Sequence, residues 1–206
     1  NSIIDYKIIK HKNDEYKNII QFENNKETFG NLSSLLKCYE TAKFEVKDLI
    51  YFVEDDYIHE EKCLFEMIET YERISSQLKR EIFICPSDYP YLYTDIDQSK
   101  IFAGSNRHWR TVNKILCTFL VSKEHLSKYW DNFNKTCLVR NDPFEKHINE
   151  IFTKEICISP LKSLAVHITN INSSYGLSPY IKSIKLWKVH VNVSNNTRTG
   201  TNCSGT

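Results

Sequence analysis

Residues 49–59, LIYFVEDDYIH, constrain the fold more than any other stretch. Leu49 to Val53 are apolar without interruption, and Glu54, Asp55 and Asp56 follow at once. An apolar run of this length with no alternation predicts a strand buried on both faces, covered by helices on each side. Such runs usually end in Gly, Asn or Pro, whereas this one ends in three adjacent carboxylates. Crowding of this kind is costly unless water or a cation compensates it. Two readings follow from the residues alone: a solvated loop, or a cation site. Neighbouring side chains of an extended chain point opposite ways, so one or two of the three can reach a single ion. A site with so few protein ligands leaves positions for substrate phosphates on Mg²⁺ or Mn²⁺.

The surrounding pattern predicts an α/β fold. Strands are expected at Asp5–Lys10, Asn18–Phe22, Glu81–Cys85, Ile101–Ala103 and Ile115–Val121. Leu32, Leu35, Leu36 and Tyr39 form one helical face after Gly30-Asn31, and the spacing over Cys63–Leu78 is strongly helical. Further helices are expected over Glu124–Phe133 and Asp142–Phe152, the latter with Asp142 as cap and Pro143 at its first position. Strands alternating with helices imply a mostly parallel central sheet, Rossmann-like, flanked by helices. Ligands of such sheets bind beyond the carboxyl ends of the strands, where residues 54–56 fall. The 206 residues suit one domain, 1–188, followed by a polar tail, 189–206.

Composition excludes several classes. Lys and Arg number 27 against 26 Asp and Glu, with no basic stripe, which disfavours a nucleic-acid partner. No apolar run reaches the roughly 18–20 residues of a membrane span. The seven cysteines are odd in number, contain no C-x-x-C pair and fall partly in apolar segments, so they read as reduced core residues of a cytoplasmic protein. The chain opens on Asn1 and is expected to be a fragment, with further domains in a longer protein.

The apolar strand ending in Glu54-Asp55-Asp56 resembles the DxD-type metal motif, in its EDD form, of nucleotide-sugar glycosyltransferases of the GT-A fold. The resemblance extends to Gly30-Asn31-Leu32-Ser33-Ser34, to FAGSNRHWRTV, to CTFLVSKEHL and to Ser163-Leu164-Ala165-Val166-His167, over residues 5–180. It also resembles the small domains of bacterial and virus-encoded sugar transferases, including a chlorella-virus one. A virus-encoded enzyme would act in the host cytoplasm. The resemblance implies a metal-dependent transfer from a nucleotide diphosphate sugar, expected to be a UDP-sugar, to a glycan or protein-linked acceptor, with inversion. These enzymes usually carry an Asp after the first strand that contacts the base or ribose, and no residue here takes that role.

Residue by residue, the resemblance makes Asp56 the direct metal ligand and His167 the late histidine that completes the site. An imidazole ligand favours Mn²⁺ over Mg²⁺. Glu54 and Asp55 would contact the ribose, or the ion through water. Gly30, Asn31 and Ser34 would meet the nucleotide at a helix start, where capping is the structural alternative. Arg107 would bind the diphosphate. His108, Trp109 and Arg110 would meet the acceptor, with a core-packed Trp as the alternative. The proton acceptor is expected to be Asp142, with Asp88 as the second candidate and Glu145 one turn further on. Tyr89, Tyr91 and Tyr93 are candidates to line the acceptor cleft. The competing classes are a non-catalytic sugar- or partner-binding module on a degenerate transferase fold, and a nucleotidyltransferase, whose Gly- and basic-rich signature is absent.

Overall fold

The computed structural model describes residues 30–94, 98–138, 140–170 and 173–175. The expected strands at Asp5–Lys10 and Asn18–Phe22 and the polar tail lie outside these residues. Two sheets and five α-helices organise the rest. The larger sheet holds β1 (Leu49–Phe52), β3 (Phe83–Ile84), β4 (Ile101–Ala103), β5 (His108–Val112), β6 (Phe119–Ser122) and β7 (Cys157–Pro160), in the order β1-β6-β3-β7-β5-β4. The smaller sheet orders β2 (Tyr57–His59), β8 (Ala165–Asn170) and β9 (Ser173–Tyr175) as β2-β8-β9.

The fold is α/β, but the described strands do not form the mostly parallel sheet expected. Only β3 and β7 pair in parallel. The β1–β6, β6–β3, β7–β5 and β5–β4 pairs are antiparallel. An apolar run states that a strand is buried and says nothing of its direction. Nor is β1 central among the described strands; it closes one side of the sheet. Ile50 and Phe52 are buried on one face of β1, and Leu49 and Tyr51 are half-buried on the other.

Those helices divide the core in two. On one face α1 (Gly30–Glu45), α3 (Lys123–Lys128), α4 (Trp130–Leu138) and α5 (Lys146–Asn149) cover Ile50, Phe52, Phe83, Phe119, Val121 and Cys157 through Tyr39, Leu126, Phe133 and Ile148. On the other face α2 (Cys63–Leu78) covers Ile84, Leu120, Ile158 and Trp109 with Met67, Tyr71 and Ile74. The alternation Phe83/Ile84 and Phe119/Leu120 distributes successive residues between the two cores, as the period of a strand requires. The free cysteines Cys63, Cys85, Cys117, Cys137 and Cys157 are buried in these layers. Among the described residues no helix is long and apolar enough to cross a membrane.

Two expected helices are altered. The helix over Glu124–Phe133 divides at Tyr129, whose hydroxyl donates to Glu155 Oε1 at 2.5 Å and whose backbone leaves helical geometry. The helix from Asp142 begins only at Lys146, with Glu145 at its cap, and passes into a 3₁₀ turn over Glu150–Thr153. The apolar spacing that suggested a longer helix is met by Ile148, Ile151 and Phe152, all buried, without a turn at Asp142.

Glu155, 8% exposed, sits where β7 begins. Arg80 donates to its Oε2 at 2.5 Å, Lys128 to Oε1 at 2.7 Å, and His125 Nε2 lies 3.6 Å from Oε2. Burial opposes its ionisation, but the hydrogen bonds from Lys128, Tyr129 and Arg80 outweigh it and hold the carboxyl down to about 2. A carboxyl depressed in the folded state stabilises it above the unfolded pKa, and that stability is lost as pH falls from about 4.3 towards 2. Glu155→Gln should therefore cost about 1–3 kcal/mol at neutral pH and flatten the pH dependence of urea unfolding between pH 4.3 and 2. An unchanged acid slope would rule this carboxylate out as a main source of acid sensitivity.

Candidate active site at the carboxyl ends of β1 and β3

β1, β3 and β7 run the same way relative to β6 and to one another, so their carboxyl ends share one edge of the sheet. Glu54 leaves β1 at this edge. Its backbone N–H donates to Thr118 Oγ1 at 3.0 Å, and the Thr118 hydroxyl donates back to Glu54 Oε2 at 3.4 Å. A turn at Asp55 and Asp56 then starts β2. Tyr57 pairs with His167 across the β2–β8 ladder, and Ile168 N–H donates to the Asp56 carbonyl at 2.8 Å.

That register brings His167 Nε2 to 2.8 Å from Asp56 Oδ2, although the two residues are 111 positions apart. The imidazole stacks on the Tyr57 ring at 4.7 Å and 14°. The Tyr57 and Tyr89 hydroxyls meet at 2.7 Å, and Tyr89 stacks on Tyr91 at 5.1 Å. Tyr57 thus sets the imidazole plane and ties β2 to the loop after β3.

The electrostatics are those of an under-compensated acidic cluster. Glu54 is pushed up to about 7, first by burial and then by the charges of Asp56 and Glu145, with only the Thr118 hydroxyl acting strongly the other way. Glu145 is also raised, chiefly by burial, with its own backbone N–H and His167 opposing. Asp56 Oδ1 is buried and has no hydrogen-bond partner among the described residues. Buried acceptors are normally paired. An orphaned carboxylate oxygen beside a neighbour that resists ionisation is the donor set a cation would satisfy. No group of three or more His, Cys, Asp or Glu side chains among the described residues is arranged to hold a metal ion by itself. Asp56 and His167 offer two ligands, which leaves positions for substrate oxygens.

The other residues singled out in the sequence fall in different places. Asp55 is exposed at the turn. Gly30 and Asn31 open α1, and Ser34 is half-buried in its first turn. Arg107 is tied to Glu60 at 3.1 Å and to the Lys162 carbonyl at 2.7 Å, beside Glu66 at 3.9 Å. His108 is exposed at the start of β5. Trp109 is fully buried in the core under α2, so packing accounts for its ring. Gly104 lies against that ring: a Cβ there would stand 2.3 Å from Trp109 Nε1.

Arg110 and Asp88 form a buried pair at 2.8 Å, and Tyr93 donates to the second Asp88 oxygen at 2.5 Å. Asp142 is exposed before α5. Glu145, at the cap of α5, is the further carboxylate whose charge bears on Glu54. In the sequence it reads as a first-turn charge, and nothing local marks it as facing residues 90 positions earlier. Thr118, in the middle of the apolar run Ile115–Val121, carries no signal at all.

No protein-family model, curated protein or solved structure matches the chain.

In metal-free protein, Glu54 should titrate near pH 7 by carboxyl ¹³C NMR. Because its folded pKa is raised, stability should decline as pH rises from about 4.5 to 7, a window separate from that of Glu155. Asp56→Asn removes a negative neighbour and should lower the Glu54 midpoint. A midpoint near 4.5 in the parent protein would contradict this description of the cluster.

Proposed function

We propose that the chain is a metal-dependent glycosyltransferase of the GT-A type, moving a sugar from a UDP-sugar to a glycan or protein-linked acceptor with inversion. The observation that carries this reading is the union of Asp56 and His167. The resemblance assigned both to a metal site although they are 111 positions apart, and the β2–β8 register brings them into contact. The orphaned Asp56 oxygen and the crowding around Glu54 support a cation there.

In this reading Asp56 and His167 hold the ion, Mn²⁺ before Mg²⁺ because of the imidazole. The bound ion supplies Lewis-acid compensation for the departing diphosphate. Glu54, held by Thr118, stays beside Asp56 and meets the ribose, or the ion through water. Asp55, exposed at the turn, is the alternative contact. Tyr57 fixes the imidazole by stacking, so that Nε2 faces Asp56. Glu145 takes the proton from the acceptor hydroxyl. Its burial raises its pKa towards the working pH, which a general base requires. Asp142 is exposed, and both oxygens of Asp88 are engaged by Arg110 and Tyr93, so neither is as well placed for that role.

Calorimetric titration of UDP with and without Mn²⁺ tests the reading directly, with GDP as the second base. Metal-dependent UDP binding is expected. Metal binding without affinity for either nucleotide would leave a sugar- or partner-binding module instead. Asp56→Ala should abolish transfer with the fold intact, and His167→Ala should weaken Mn²⁺ binding. Glu145→Gln should lower kcat by about 10²- to 10⁴-fold while UDP affinity holds. Full activity in Glu145→Gln would return the role of base to another carboxylate.

A further inference from the structure

Tyr93 is 60% exposed, yet it is fixed at two points. Its hydroxyl donates to Asp88 Oδ2 at 2.5 Å, and the Arg110 guanidinium lies 4.1 Å from its ring centroid. Beneath it, Asp88 is 6% and Arg110 9% exposed, and they form an ion pair at 2.8 Å. The Asp88 backbone N–H is held in turn by the Ser163 hydroxyl at 2.6 Å. An exposed tyrosine ordinarily leaves its hydroxyl in water and moves freely. Here a buried ion pair, costly to desolvate, holds one ring in place from behind. Arg110 Nε is buried with no acceptor among the described residues.

We propose that Tyr93, backed by Asp88 and Arg110, is the platform on which the pyranose ring of a neutral acceptor sugar stacks; the proposal rests on the transferase reading above. The electron-rich face of an aromatic ring attracts the polarised C–H bonds on one face of a pyranose. A ring already immobilised loses little entropy on binding. Asp88 neutralises Arg110, so the group offers no net attraction to an anion and suits an uncharged ligand. Its location indicates the acceptor rather than the nucleotide. Tyr93 closes the 3₁₀ turn Pro90–Tyr93, in which Tyr91 stacks on Tyr89 and Tyr89 reaches Tyr57 beside the Asp56–His167 pair.

Saturation-transfer NMR with a panel of methyl pyranosides (gluco, galacto, manno, fuco, rhamno and xylo) tests the platform. At least one is expected to receive saturation on the C–H protons of a single ring face. Tyr93→Ala should weaken its binding at least about tenfold, and Tyr93→Phe, which keeps the ring, by only about two- to fivefold. Both variants should keep the parent circular dichroism and the parent UDP affinity with Mn²⁺. Absence of saturation transfer across the panel, or undiminished binding in Tyr93→Ala, would overturn the proposal. Pyranoside binding that depends on Tyr93, in a protein that fails to bind UDP, would sustain the sugar platform and remove the transferase reading alone.

Discussion

β8 reaches β2 because a knot of buried hydroxyls fixes where it starts. Ser159 donates to the Ser87 carbonyl at 2.7 Å, Ser87 donates to the Ala165 carbonyl at 2.8 Å, and Ser163 accepts from Asp88 N–H. Leu164 and Ala165 both donate backbone N–H to the Pro86 carbonyl, and Glu60 N–H donates to Leu164. Every one of these groups would be expensive to bury unpaired. Satisfying them together leaves one register for β8. A slip of one residue would turn His167 to the other face of its sheet and away from Asp56. The same loop carries Asp88 and Tyr89, so the metal-binding candidates and the tyrosine cluster share one support.

The two ends of the large sheet use carboxylates in opposite ways. Where β7 begins, Glu155 is surrounded by Arg80, Lys128, Tyr129 and His125, and its charge is more than compensated. This end stabilises the fold. At the other end the charges of Glu54, Asp56 and Glu145 act on one another, with Thr118, His167 and the Glu145 backbone N–H opposing them among the described residues. Charge left uncompensated at the carboxyl ends of strands is a cost to stability, and it is the feature that marks this edge as the candidate site.

Much of the layer structure was legible from the chain. The periodicity over Cys63–Leu78 coincides with α2, and the face formed by Leu32, Leu35, Leu36 and Tyr39 lies within α1. LIYF and FI became strands because two-faced apolar runs can be buried only inside a layered sandwich. β5 was not legible: HWRTV reads as a polar-aromatic cluster, and it becomes a strand because Trp109 and Val112 reach opposite cores while β7 supplies the ladder. β7 and β8 likewise owe their extent to partners far away in the chain. The break falls at Tyr129, whose hydroxyl bonds Glu155 from another part of the chain, a contact that no helical periodicity encodes.

The same division holds at the site. The acidic turn after an apolar strand and two helices were legible in the sequence, because these are local properties of residue type and period; Asp56 and His167 were nominated by the resemblance. Strand direction, the order of the described strands, the exposure of Asp142 and the capture of Asp88 by Arg110 were decided only by tertiary structure. Each depends on which groups meet across tens of residues. That is settled by the joint burial of two cores and the pairing of every polar group enclosed between them.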